Sequence, residues 1–156
     1  EERVQALVAQ GAPIDAFGVG TRMNVSADAP FLDCAYKLCE YAGTPRRKRS
    51  EGKASWPGRK QVFRRVDASG TMIGDTLALA GDTTRGVPLL EPVLRDGVRV
   101  GTPPSLDAMR ERARIQVAAL PERLRALTPA PPYPVEIADS LRALADAVDA
   151  RSAVRP

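Results

Sequence analysis

Five residues near the start of the chain, Phe17-Gly18-Val19-Gly20-Thr21, have the types and spacing to hold an anion. Glycine has no Cβ, so it reaches positive φ and lets a ligand come close to the main chain. Successive N–H groups in such a loop can converge on one anion, and Thr21 would add its hydroxyl. The chemistry would be phosphate binding by backbone. The run lacks the third glycine of a dinucleotide fingerprint and the Gly-Lys-Ser/Thr of a P-loop. A plain tight turn accounts for the same residues.

A second candidate lies in "TPRRKRSEGKASWPGRKQVFRR", residues 44–65, with nine Lys or Arg and one Glu. This segment carries +8 against +4 for the whole chain, so the remainder is acidic by 4 charges. Such a block attracts anions, whether phosphorylated small molecules or nucleic acid. Lys53 is its candidate ligand contact. The same charges could instead keep an edge strand from aggregating. Proteins that grip single-stranded nucleic acid add stacking aromatics, and only Trp56 and Phe63 stand here. Trp56, just before Pro57-Gly58, reads as a packing residue.

The chain has no histidine. Histidine is the usual acid–base group near neutral pH, so a histidine triad, a histidine zinc site and a phosphohistidine relay are excluded within these residues. Cys34 and Cys39 are five apart, a poor metal spacing, and read as buried, reduced thiols. No catalytic residue and no metal ligand is assigned in this chain.

These candidates need a scaffold. The 156 residues suit one ordinary domain, and 44% apolar residues suffice for a core although aromatics are only 4%. No apolar run approaches the roughly 20 residues of a membrane span. The acidic start "EERVQALVAQ" lacks the basic region of a signal peptide. Val4, Leu7 and Val8 have helical spacing, and Gly11 followed by Pro13 ends that helix. "IDAFGVG" then reads as a short buried strand running into the glycine loop. Helix, turn and strand make half of a parallel α/β repeat, and one such unit cannot form a sheet. The helix starts without a cap before Glu1, as though the chain began part-way through a domain.

"FLDCAYKLCEYA" fits a helix through Phe31, Cys34, Leu38 and Tyr41, and a strand through Cys34, Tyr36 and Leu38. Gly43-Thr44-Pro45 ends it either way. "KQVFRRV" and "TMIGDTLAL" predict strands joined by the turn Asp67-Ala68-Ser69-Gly70. A second hairpin turns at Arg95-Asp96-Gly97, where Asp-Gly is a strong signal. Ser105 caps a helix with one apolar face (Leu106, Met109, Ala113, Val117, Leu120, Leu124, Leu127), which Pro121 should break after Leu120. "TPAPPYP" reads as a rigid connector. A last helix begins near Asp139 or Ser140 with Leu141, Leu144 and Val148 inward.

Taken together, several stretches resemble the C-terminal part of nicotinate phosphoribosyltransferases: residues 11–21, 26–64, 74–79, 104–127 and 133–146. Most specific is Ser50-Glu51-Gly52-Lys53 with Pro57-Gly58-Arg59-Lys60-Gln61, at the fitting distance from "FGVGT". The resemblance implies a cytoplasmic enzyme of NAD biosynthesis and salvage. Such an enzyme joins nicotinate to phosphoribosyl pyrophosphate, giving nicotinate mononucleotide and pyrophosphate, driven by ATP hydrolysis with magnesium expected. It implies an α/β fold: an irregular barrel of the type II phosphoribosyltransferase kind beside an α/β domain. Residues 1–59 would be the C-terminal part of the barrel, with residues 31–50 as a basic strand pair. Residues 60–156 would be hairpins and helices of the adjoining domain. Gly18, Val19, Gly20 and Thr21 would form the phosphate loop, and Lys53 would face phosphate groups.

Two departures follow. The family uses a histidine that ATP phosphorylates, which this chain lacks, and its nicotinate-holding residues would precede Glu1. The expectation is therefore the C-terminal portion of a longer protein, inactive alone, with a homodimer as the full-length form. Rival expectations are an anion- or nucleic-acid-binding module built on residues 44–65, and a transferase acting on nicotinamide or quinolinate.

Overall fold

The computed structural model describes residues 2–20 and 36–153. It divides into two compact units, one up to Tyr36 and one from Lys37. In the first unit, α1 (Glu2–Ala9) ends as its sequence predicts. Gly11 takes φ 63°, its N–H donates to the Val8 carbonyl and the Ala12 N–H to that of Leu7. This is the paired closure that a left-handed residue after a helix makes possible. The strand expected over 14–20 does not form, and Ile14, Phe17 and Val19 are exposed. A strand is held by hydrogen bonds to a neighbour, and among the described residues no strand pairs with this one.

The second unit is built on a four-stranded sheet of order β5-β3-β4-β8. Its centre is the expected hairpin of β3 (Lys60–Val66) and β4 (Met72–Leu79), with Phe63 opposite Thr76 and Arg64 opposite Asp75. The turn between them closes on the Asp67 carboxylate, which accepts from the backbone N–H of Ser69 and Thr71 and from the Ser69 hydroxyl. These hydrogen bonds, the Ser69 hydroxyl foremost, hold the Asp67 carboxyl below its usual range. The short strand β5 (Val87–Pro88) lies antiparallel to β3. Gly86 permits that approach: its φ is 127°, and a Cβ there would sit 2.7 Å from the Arg64 carbonyl oxygen.

On the other edge, β8 (Val135–Ile137) runs parallel to β4. The proline connector, residues 128–134, leads directly into this strand, which three residues of alternating type do not signal. The last helix, α4 (Asp139–Ala153), packs on β4 with Leu141 and Val148 buried as predicted; Leu144 is only half-buried, and Ala145, outside the expected inward face, is buried. Phe63, Met72 and Ala78 complete the core. Burying each large apolar side chain contributes about 1.5–3 kcal/mol.

Asp75 and Thr76 are the polar residues within that core, and Asp75 carries a charge. Its carboxylate accepts from Arg64 Nε at 2.9 Å, Arg64 Nη2 at 2.7 Å and the Tyr133 hydroxyl at 3.0 Å. The Arg64 guanidinium also lies 6.0 Å from the Tyr133 ring centroid. The two strands of the hairpin and a segment 58 residues beyond Asp75 are thus joined through one carboxylate. The Arg64 hydrogen bonds, more than any other cause, hold the Asp75 carboxyl below its usual range, against the opposing effect of burial. Burial and the bond to Asp75 push the Tyr133 hydroxyl up.

Two hairpins remain. β1 (Glu40–Tyr41) and β2 (Thr44–Pro45) pair antiparallel over two residues each, whereas Tyr36 and Leu38, which alternate in the strand reading, are exposed and lie in no strand; residues 31–35 lie outside the described residues. The turn is Ala42-Gly43, at φ 47° and 69°, so Gly43 sits in the turn and Thr44-Pro45 begins the return strand. Alanine pays a steric cost at positive φ, so Ala42→Gly should stabilise the protein by about 1 kcal/mol. Urea unfolding would read this as a higher midpoint at unchanged slope. β6 (Leu94–Arg95) and β7 (Val98–Arg99) turn at Asp96-Gly97, φ 50° and 77°, where the sequence placed the loop.

The apolar face of α2 (Leu106–Ala118) is left open among the described residues. Ser105 caps it as predicted, its Oγ accepting from the Ala108 N–H at 3.2 Å. The helix ends before Pro121, which opens the single turn α3 (Glu122–Arg125). Yet no α2 residue is buried, and Leu106, Met109, Ile115 and Val117 are exposed. A 3.6-residue period specifies a face, and among the described residues nothing covers it.

Candidate functional site

The basic segment folds into a loop with a fixed root. Cys39, half-buried and unbridged, accepts at its carbonyl from the N–H of Arg46 at 2.9 Å and of Gly58 at 2.7 Å. Both ends of the loop are therefore gathered at one oxygen. Pro57 is fully buried, and Gly58 (φ 74°) lies so near α4 that a Cβ would stand 2.9 Å from Leu144 Cδ2. Lys60 turns its Nζ back onto the carbonyls of Trp56 and Gly58, at 2.8 and 2.6 Å. Its ammonium is spent on the root.

Above the root, the Lys48 N–H donates to Ser55 Oγ and the Ser55 N–H to the Lys48 carbonyl, at 2.9 and 3.0 Å. At the tip the Lys53 N–H donates to the Ser50 carbonyl at 3.0 Å across Gly52, whose φ of 65° suits the third position of a type II turn. Ser50-Glu51-Gly52-Lys53, singled out for its specificity, is this turn. Lys53 is exposed, and its ammonium has no side-chain partner among the described residues.

Other cations of the segment are engaged inside the chain. Arg47 meets Asp149 at 3.0 Å and Arg49 meets it at 3.8 Å. Arg64 holds Asp75, and Arg65 meets Glu136 at 2.9 Å. With Lys60 that makes five of nine, leaving Arg46, Lys48, Lys53 and Arg59 without such a partner among the described residues. A continuous basic face of the kind duplex nucleic acid selects is broken up accordingly. Trp56 is half-buried, with the guanidinium groups of Arg47 and Arg142 at 5.8 and 6.0 Å from its ring, so its packing is against cations.

Gly18, Val19 and Gly20 lie in the N-terminal unit, exposed and without regular structure; Thr21 lies outside the described residues. Neither glycine takes positive φ. The expected left-handed geometry is thus not the reason for glycine at 18 and 20. What both offer is room, since among the described residues a Cβ at either position meets no atom within 4 Å. The N–H groups of an exposed, irregular stretch remain available to an incoming acceptor. Sequence reasoning missed Asp149 and Arg142, about a hundred residues from the loop they touch. No local pattern signals such a pairing.

Residues 82–145, from the end of the β4 turn into α4, match the family model for the nicotinate phosphoribosyltransferase C-terminal domain. The chain is also 48% identical over 143 residues to nicotinate phosphoribosyltransferase pncB2 of Mycobacterium tuberculosis, covering 90% of this chain and 31% of that protein. The kinship is with nicotinate phosphoribosyltransferases. The mouse nicotinate phosphoribosyltransferase is 30% identical over 176 residues, covering 97% of this chain and 33% of the relative. The crystal structure of human nicotinic acid phosphoribosyltransferase superimposes with a TM-score of 0.63 at 25% identity, over 74% of this chain and 26% of that one. The chain spans about a third of the length of the curated relatives it matches. The mixed α/β architecture of the larger unit accords with that likeness.

Proposed function

We propose that this chain is part of a nicotinate phosphoribosyltransferase of NAD salvage, joining nicotinate to phosphoribosyl pyrophosphate to give nicotinate mononucleotide and pyrophosphate. The observation that carries the proposal is the 48% identity over 143 residues to a protein of that name. ATP hydrolysis driving the reaction, a cytoplasmic location and a homodimer belong to the same proposal. So does the wider architecture, in which residues 1–59 finish an irregular barrel and residues 60–156 form hairpins and helices of the adjoining domain.

In this reading the chain contributes anion binding. Gly18 to Thr21 take the 5′-phosphate, fixing the sugar so that the nicotinate nitrogen can meet C1 in line. Lys53, a cation on a turn held by its root, faces the negative charge that builds on the departing pyrophosphate. Among the described residues no group of three His, Cys, Asp or Glu could hold a metal ion. Magnesium, expected with the phosphates, is proposed to be held chiefly by the substrates' phosphate groups.

The test is a substrate panel on the whole protein. Radiolabelled nicotinate, nicotinamide and quinolinate are each incubated with phosphoribosyl pyrophosphate, with and without ATP, and the mononucleotide is measured by chromatography. Product from nicotinate, increased by ATP, is expected. Product only from nicotinamide or quinolinate would assign the chain to the related transferase instead.

A further inference from the structure

The loop 48–55 stands on a carboxylate that comes from the far end of the chain. Arg47, on the arm entering the loop, meets Asp149 Oδ2 with its Nη1 at 3.0 Å, and its side chain is only 14% exposed. Arg49, two residues on, reaches the same residue twice, at 3.5 Å to the backbone carbonyl and 3.8 Å to Oδ1. The other arm is drawn in through Trp56, whose ring lies 5.8 Å from the Arg47 guanidinium and 6.0 Å from that of Arg142 on α4. The two arms are then joined by the Lys48–Ser55 hydrogen bonds. One carboxylate on α4 thus bears on both sides of a loop whose tip presents Lys53.

The network is incompletely satisfied. Asp149 Oδ1 and Arg47 Nε are buried and take no hydrogen bond. Buried polar atoms without partners cost free energy, so a purely structural tie would be expected to close them. Arg49 is the cation nearest to Oδ1, and it sits on the loop itself.

We propose that Asp149 is a positioning residue for phosphate-substrate binding: through Arg47 and Arg49 it sets where the Ser50–Lys53 turn stands. The inference rests on the anion-binding reading of Lys53. Asp149 touches no substrate and acts through the loop. Without it two neighbouring arginines lose their counter-charge, repel one another and release the arm, and Lys53 samples a wider space. Affinity for the anionic substrate falls while the chemical step is little altered.

The experiment uses the whole protein, with Asp149→Ala, Asp149→Glu, Lys53→Ala and the Asp149→Ala/Lys53→Ala pair. Asp149→Ala should raise KM for phosphoribosyl pyrophosphate about threefold to fivefold, the range of a well-placed ion pair, with KM for nicotinate and kcat within twofold. Asp149→Glu should restore most of the affinity. In the Lys53→Ala background Asp149→Ala should add nothing. Amide hydrogen exchange over residues 48–55 should quicken in Asp149→Ala and not in Lys53→Ala. An active wild-type enzyme whose Asp149→Ala variant keeps its KM, or whose two effects multiply, would overturn the positioning role. Unchanged exchange over the loop would overturn it as well. A wild-type protein that transfers phosphoribose to no pyridine base would instead overturn the reading on which it rests.

Discussion

Asp75→Ala should destabilise the whole protein by about 3 kcal/mol, the lower end for breaking a buried ion pair, because the Arg64 side chain keeps 23% of its surface in water. The loss is not that of one attraction. Removing the carboxylate strands a guanidinium that has given up much of its hydration, and it leaves the Tyr133 hydroxyl without its acceptor. Tyr133→Phe removes only one hydrogen bond and should cost about 1 kcal/mol. Replacing Arg64 and Asp75 together by methionine and leucine should recover much of the loss, since the lone charge is what costs most. Shifts in the urea midpoint at constant slope would measure all three.

The same carboxylate gives a pH signature. Its folded-state pKa lies below the ordinary 3.8, with the Arg64 hydrogen bonds as the main cause. A depressed carboxyl pKa means that the unfolded chain binds the proton more readily. The stabilisation is therefore fully present above the unfolded value and is lost as pH falls below it toward the folded value. Asp75→Asn should flatten the stability profile in that acid window and leave its slope at neutral pH unchanged. A wild-type and an Asp75→Asn profile that fall in parallel below pH 4 would show that the triad does not carry this charge.

The Asp75 triad also marks where sequence reading stops. The β3–β4 hairpin was legible because two apolar runs flank Asp67-Ala68-Ser69-Gly70, and that turn closes on Asp67 through local hydrogen bonds. The Asp96-Gly97 turn, the Ser105 cap and the Leu141–Val148 stripe are local in the same sense. The partner of Asp75 across the hairpin follows from register, so an Asp inside "TMIGDTLAL" facing an Arg inside "KQVFRRV" could have been noticed. Tyr133, which arrives from 58 residues away, could not.

Other failures share that cause. "IDAFGVG" has the composition of a strand, but strand formation depends on a neighbour that composition does not describe. β8 has three residues, and what makes it a strand is the parallel edge of β4. The period of α2 tells that a face must be covered without naming the cover. At the candidate site the reading of Lys53 as an exposed cation near a glycine was accessible, whereas its support by Asp149 depends on α4 returning to the loop root.

Gly20→Val should raise KM for phosphoribosyl pyrophosphate roughly 10- to 100-fold in the whole protein, the loss of one or two charge-assisted hydrogen bonds from backbone to phosphate. The structure makes this a clean probe. Gly20 is not at positive φ, so valine meets no backbone penalty there, and among the described residues a Cβ at this position touches nothing within 4 Å. The side chain therefore meets none of the described residues, and the unfolding midpoint is expected to stay where it is. Gly18→Ala places a smaller obstacle on the same stretch and should act in the same direction with a smaller effect. A raised KM with unchanged stability requires that substrate approach the main chain between Phe17 and Arg22. An unchanged KM would place the phosphate elsewhere, and Lys53 would then have to grip its anion without that loop.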